Sequence, residues 1–380
     1  MEKGRLLVYL SIFTIMGLSN AVIPILPELA GLGPGNHAVE LSSFLFSAYF
    51  IGALLTMLPF GILAERYGFM RFVTLSLLLT FFSGIIMLLS NEIHLLILAR
   101  LMEGTACGAF FPAAFSYLGS FSRRKQYMGE FNFLLNAGLA AGVALSGLLA
   151  TIGLKYGIMA FTVLSFLTLI AGIGYLYQNG RDKGKLQSSI IAEIRQKVST
   201  TSGFLVDRSY LGIWIIVFVL IGTNGVLLAL YPDYSTSMLS KAELGIAIAV
   251  SYISTMISSI WISHTSMESK KMINMGIVVA ASGTLATIWL PFVGFALLGS
   301  GSGLAMVGLP TLLASMSKNK GITMGLYSTY TYGGLAIMPI FAGAMTGIMG
   351  LEIIFASFAI ILFLTLFVNY RIRSNKTYIG

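Results

Sequence analysis

The sequence predicts an all-α polytopic membrane protein, with twelve transmembrane helices arranged as two pseudo-symmetric six-helix bundles. Three observations predict it: twelve apolar runs long enough to cross a bilayer, basic residues confined to alternate connections between them, and echoes between runs six apart. The runs cover approximately 5–30, 40–63, 70–90, 93–118, 127–152, 156–177, 209–232, 242–264, 271–290, 292–316, 321–348 and 351–370. About 20 apolar residues suffice to span the hydrocarbon core as a helix, which satisfies its own backbone polar groups there.

Composition agrees. Hydrophobic residues make up 57% of the chain and charged residues 10%, against about 25% charge in a soluble protein. The net charge of +9 would suit nucleic acid, but its placement excludes that reading. Of the 23 Lys and Arg residues, only Lys155 and Lys241 fall on one side of the predicted membrane and only Arg100 lies inside a run. The rest mark the cytoplasmic side, so both termini are expected in the cytoplasm, as an even number of spans requires. The first run is too long for a cleavable signal peptide, lacks a small-residue cleavage site and carries Pro24 and Pro27. The single cysteine, Cys107, allows no intramolecular disulfide and is expected to fill a small packing position.

The longest polar segment, 179–208, divides the chain into an N-terminal bundle over 1–178 and a C-terminal bundle over 209–380. Within it Ile190, Ile191, Ile194 and Val198 recur at helical spacing, which fits a short amphipathic helix on the inner membrane surface; a disordered tether is the other reading. GLSNAVIPILPE (17–28) in the first run is echoed by GTNGVLLALYPD (222–233) in the seventh, and GLAAGVALSG (138–147) in the fifth by GLAIMPIFAG (334–343) in the eleventh. Such matches on runs six apart point to a parallel duplication, the plan of alternating-access carriers.

Between the second and third runs stands GILAERYGFMR (61–71), in which only about seven residues separate the helices. Gly61 and Gly68 permit close packing and a tight turn. Glu65, Arg66 and Arg71 are expected to place an ion-pair cluster at the helix ends. This segment resembles the signature loop of the major facilitator superfamily. Gly61, Leu63, Ala64, Arg66 and Gly68 match, Glu65 replaces an aspartate, and Arg71 follows one place late behind Phe69 and Met70. The resemblance implies a cytoplasmic latch, or gate, between conformations, formed by Gly61, Glu65, Arg66, Gly68 and Arg71.

ARLMEGTACGAFFPA, in the fourth run, carries Arg100, Gly104 and Gly108 in the superfamily's R-x-x-x-G-x-x-x-G arrangement. The two glycines share a face that admits another helix closely. Arg100 and Glu103, three apart, can meet on one face. Each costs about 2.5–3.5 kcal/mol near the bilayer centre on insertion scales. Charges that costly are expected to be paired and to face a cavity or the bundle interior. Arg100 favours the carboxylate of Glu103 and desolvation opposes it, so a conformational change could move a proton on or off. The resemblance implies proton coupling at Arg100. A permanent salt bridge is the alternative. The fifth run matches the antiporters' glycine motif at Gly138, Gly142 and Gly147, with Val143 where they have proline. The layout as a whole resembles their twelve-helix drug/proton group.

By the family's plan, spans 1, 4, 7 and 10 line a central cavity, flanked by 2, 5, 8 and 11. Asn20, Asn136, Asn224, Tyr327 and Tyr330 are then candidates to line the substrate cavity. Glu28 and Asp233, at the outer ends of spans 1 and 7, are expected to reach water or an outer gate, and Glu130 to pair with the basic residues at 123–125. No phosphate loop, Cys/His metal cluster or nucleophile elbow occurs. No enzyme, metal site or cofactor is therefore expected.

The expected function is secondary active transport by a monomer in the cell membrane: exchange of protons for small amphipathic or lipophilic compounds, in the direction of efflux. A specific carrier for a sugar or small organic anion, with Arg100 on the substrate, is the alternative. A non-transporting receptor or scaffold is a further one. Sodium in place of protons stays open.

Overall fold

The computed structural model describes residues 2–33, 37–179, 208–317 and 320–374. Among the described residues all regular structure is helical. Twelve long helices follow one another: α1 (Glu2–Ala21), α2 (Ala38–Tyr67), α3 (Phe69–Leu89), α4 (Ile93–Gly119), α5 (Arg124–Leu149), α6 (Tyr156–Asn179), α7 (Arg208–Tyr234), α8 (Lys241–Ser263), α9 (Ser269–Ala286), α10 (Pro291–Met316), α11 (Lys320–Met345) and α12 (Leu351–Ser374). By length and composition, nine helical stretches among the described residues can cross a membrane. The three others are α9, which opens with Lys270 and Lys271 and carries Asn274; α11, rich in Ser, Thr, Tyr and Gly; and α12, whose apolar part is Leu351–Phe367.

Two local departures from the sequence reading have simple causes. The first run is not one helix. Pro24 and Pro27 lack the N–H that would continue the ladder, so α1 stops at Ala21, and a 3-10 turn (Ile23–Ile25) and a five-residue helix (Leu26–Ala30) complete the span. The second and third spans are separated by Gly68 alone, where about seven residues were expected. Its φ of 103° is a conformation open to glycine, and its N–H still closes α2 on the Ala64 carbonyl at 3.0 Å.

The chain forms two compact units, Met1–Ile190 with Pro232–Ala249, and Ile191–Tyr231 with Val250–Gly380. The expected linker helix within 179–208 lies outside the described residues. In the first unit α1 packs on α5 and α6, α2 on α4, and α3 on α4 and α6. In the second, α9 packs on α10 and α12, while Gly334 of α11 abuts the Phe218 carbonyl of α7.

Glycines make these approaches possible. A Cβ on Gly104 would strike the Tyr49 carbonyl of α2, one on Gly108 would meet Thr56 and the Ala53 carbonyl, and one on Gly52 would strike the Leu101 carbonyl of α4. Gly138 and Gly142 meet the carbonyls of Phe13 and Gly17 on α1 in the same way. The second unit repeats the scheme: Gly299 and Gly303 of α10 abut the Ser251 and Thr255 carbonyls of α8. The pairing of α2 with α4 thus recurs as α8 with α10, and α3 with α6 as α9 with α12.

Substitution should separate the contact glycines from the rest. Gly104→Ala forces a methyl against backbone, a class of overpacking that costs about 1–3 kcal/mol, whereas Gly129 has open space around it. We expect Gly104→Ala to lower the melting temperature of detergent-purified protein markedly and Gly129→Ala to leave it nearly unchanged.

Candidate functional site

Close approach of α4 to α2 sets the position of the buried charges. Arg100 and Glu103 stand one turn and one residue before Gly104, and their side chains are 2% and 0% exposed. Arg100 Nη1 donates to Glu103 Oε2 at 2.6 Å and to the Ser19 carbonyl of α1 at 3.2 Å. Its Nε donates to the Leu45 carbonyl of α2 at 3.2 Å. The guanidinium also lies 5.0 Å from the ring centroid of Tyr49, within the range of a cation–π contact. One cation therefore ties α1, α2 and α4 together.

Glu103 is served on one side only. Its Oε2 takes the arginine, while Oε1 is buried without a hydrogen-bond partner. An unsatisfied buried acceptor costs about 1–3 kcal/mol, and more when charged. Buried ion pairs are in any case weak contributors to stability compared with apolar residues of similar size. Packing alone gives no reason for this pair.

The internal repeat makes that argument specific. Gly104 and Gly108 of α4 correspond to Gly299 and Gly303 of α10 through the same contact with a neighbouring helix. Counting back from them, Arg100 and Glu103 correspond to Phe295 and Leu298. Both are buried, with Phe295 set edge-on to Tyr231 at 4.9 Å between centroids. The same helix position is filled by hydrocarbon in one half and by an ion pair in the other.

Other sequence-selected residues are distributed around this centre. Asn20, next to Ser19, is buried and donates to the Leu139 carbonyl of α5 at 3.2 Å, so it belongs to the Arg100 neighbourhood. Asn136 only closes on the Asn132 carbonyl of its own helix, at 2.9 Å. In the second unit Asn224 exchanges hydrogen bonds with Ser302 of α10 at 3.1 and 3.2 Å. Tyr330 stacks on Trp214 of α7, with centroids 5.1 Å apart and planes at 5°. Tyr327 is partly buried one turn away. Ser19, Tyr49, Trp214 and Ser302 escaped the sequence reading, because each is an ordinary membrane-helix residue whose partner lies far along the chain.

The latch segment is built differently from expectation. Gly61 faces Pro112 of α4, where a Cβ would lie 3.3 Å from the proline Cβ. Glu65 and Arg71 are exposed and Arg66 is half-buried. Among the described residues none of the three forms an ion pair; Arg66 lies over the Tyr67 ring at 5.6 Å. Neighbouring residues on a helix do not face each other, which separates Glu65 from Arg66. Glu130 accepts hydrogen bonds from Tyr9 (2.6 Å) and Gln126 (2.8 Å), and among the described side chains neither Arg123 nor Arg124 pairs with it. Arg5 stands over the Tyr127 ring nearby.

Comparison with known proteins places this geometry. The model of the Major Facilitator Superfamily matches residues 7–337. Relatives include an uncharacterized transporter of this type, MJ1560, from Methanocaldococcus jannaschii, 24% identical over 92% of this chain and 93% of its own. Multidrug resistance protein 2 of Bacillus subtilis is 23% identical over 93% and 92% of the two chains. Among solved structures, peptide transporter POT in complex with sulfate superposes with a TM-score of 0.74 at 15% identity, covering all of this chain and 95% of that one. A multi-pass helical chain with this repeat, matched along most of its length by the family model, belongs to the Major Facilitator Superfamily and is a transporter, not an enzyme.

Proposed function

We propose that this transporter exchanges protons for small amphipathic or lipophilic compounds and exports them, working as a monomer in the cell membrane with both termini in the cytoplasm. The observation that carries the proposal is the buried Arg100–Glu103 pair with its bare Glu103 Oε1, set where the second half has Phe295 and Leu298. Glu103 is the proton carrier: Oε1 receives the proton, and Arg100 holds Oε2 and stabilises the ionised form. Asn20, Asn136, Asn224, Tyr327 and Tyr330 contribute to the substrate path. The 61–71 segment acts as the cytoplasmic latch through the Gly68 turn and the Gly61–Pro112 contact, more than through ion pairs.

The neighbours of Arg100 support a coupling role over a substrate-binding one. Its Nε and Nη1 already reach Leu45, Ser19 and Glu103, which fixes the guanidinium beside the Glu103 carboxylate. The direction of transport and the substrate class draw support from the name of the Bacillus subtilis relative and from the scarcity of charge in the spans. Loosely specified apolar surfaces suit varied hydrophobic ligands.

Two experiments test this reading. In proteoliposomes with an imposed pH gradient, Glu103→Gln should reduce driven transport of lipophilic cations and neutral amphiphiles to the level of protein-free liposomes. Counterflow exchange at symmetrical pH should survive. Undiminished gradient-driven transport would refute the assignment. The second experiment copies the hydrocarbon half into the charged half. Removing one member of a buried pair costs about 3–5 kcal/mol, whereas replacing both with apolar residues is near neutral or stabilising. Glu103→Leu alone should therefore destabilise the protein in thermal unfolding. Arg100→Phe with Glu103→Leu should recover stability without recovering pH-driven transport.

A further inference from the structure

Besides Glu103 Oε1 and Ser47 Oγ, four buried oxygens of the first unit have no hydrogen-bond partner: Glu28 Oε2, Ser42 Oγ, Asp233 Oδ2 and Ser235 Oγ. They come from the Leu26–Ala30 helix, the start of α2, the end of α7 and the 3-10 turn Ser235–Ser237. Lys241, the first residue of α8, bonds Glu28 Oε1 at 2.7 Å. Asp233 lies within electrostatic reach of Glu28, Lys241 and Ser42. Ser42 is fully buried and faces Asp233 from outside hydrogen-bonding geometry. The start of α8 is held in place by α5, since Gly147 abuts the Lys241 carbonyl and Gly245.

Charge does not balance in this cluster. Two carboxylates share one ammonium, and among the described residues the neighbouring charges are engaged elsewhere. Glu243 takes the Ser240 N–H and hydroxyl at 2.8 Å, and Glu40 pairs with His37 at 3.1 Å on the exposed surface. One negative charge is left over, beside two bare carboxylate oxygens and two hydroxyls without partners. A single proton removes the charge and supplies a donor to the bare oxygens. Carboxylates that share a site bind such a proton jointly, and it belongs to the pair.

We propose that Glu28 and Asp233 together hold one proton, with Lys241 as the adjacent fixed cation and the hydroxyls of Ser42 and Ser235 solvating the pair. This proton site is separate from Glu103 and does not depend on the role given to Glu103 above. Lys241 repels the proton and each carboxylate attracts the one bound to the other.

The test is infrared difference spectroscopy of the full chain in liposomes during a pH titration, in a Glu103→Gln background so that Glu103 contributes no signal. A carboxylic acid C=O band should disappear as pH rises, and Asp233→Asn should abolish it. Lys241→Met should raise its midpoint by about one pH unit, a tenfold gain in proton affinity, and Glu28→Gln should lower it. These two variants carry the test even if Asp233→Asn does not fold. A band untouched by Asp233→Asn, or a midpoint unmoved by both other changes, would overturn the proposal. So would a midpoint that falls with sodium chloride but not with choline chloride at equal ionic strength, because sodium would then be the occupant.

Discussion

Contact between the backbones of α2 and α4 is the constraint on which the rest of the first unit depends. Lipid gives helices no hydrophobic reason to associate, so their attraction comes from close van der Waals packing. Gly52, Gly104 and Gly108 remove the side chains that would hold the two helices apart. Their approach brings the Leu45 carbonyl and the Tyr49 ring to Arg100. With the helices further apart, the guanidinium would lose these partners and its burial would be far more costly. The glycines therefore make an intramembrane ion pair tolerable as well as making the helices fit.

The duplicated plan separates what folding requires from what function adds. Both halves use four-spaced glycines on their fourth helix, and both set them against carbonyls of the second. The first half adds a paired charge; the second fills the same positions with Phe295 and Leu298, both buried. Since hydrocarbon serves the packing role in one half, packing alone does not account for the ion pair in the other. A similar division holds among the asparagines. Asn20 donates to a backbone carbonyl of α5 and fixes α1 to it, while Asn224 bonds a carbonyl of its own helix and exchanges bonds with the Ser302 side chain of α10.

Much of this was legible in the residues because membrane folding is governed by local quantities. Run length, the side on which lysines fall, and glycines four apart are read without knowing any contact. Arg100 and Glu103 are three apart, so their pairing was legible too. The partners that give the pair its character were not: Ser19, Leu45 and Tyr49 lie on other helices, and nothing local marks them. The latch misled for the opposite reason. Glu65, Arg66 and Arg71 look paired when read along the chain, but among the described residues none of them forms an ion pair. Lys241 and Glu28 are distant in sequence yet bonded in space, which no motif announces.

Proton handling at Glu103 is the central claim. Its most direct test is proton release from purified protein in weakly buffered solution, followed with a pH indicator as a transported compound is added to saturation. Coupling at Glu103 predicts release by the unmodified protein, and none when a side chain that cannot ionise stands at that position and the compound still binds. Equal release from both proteins would contradict it.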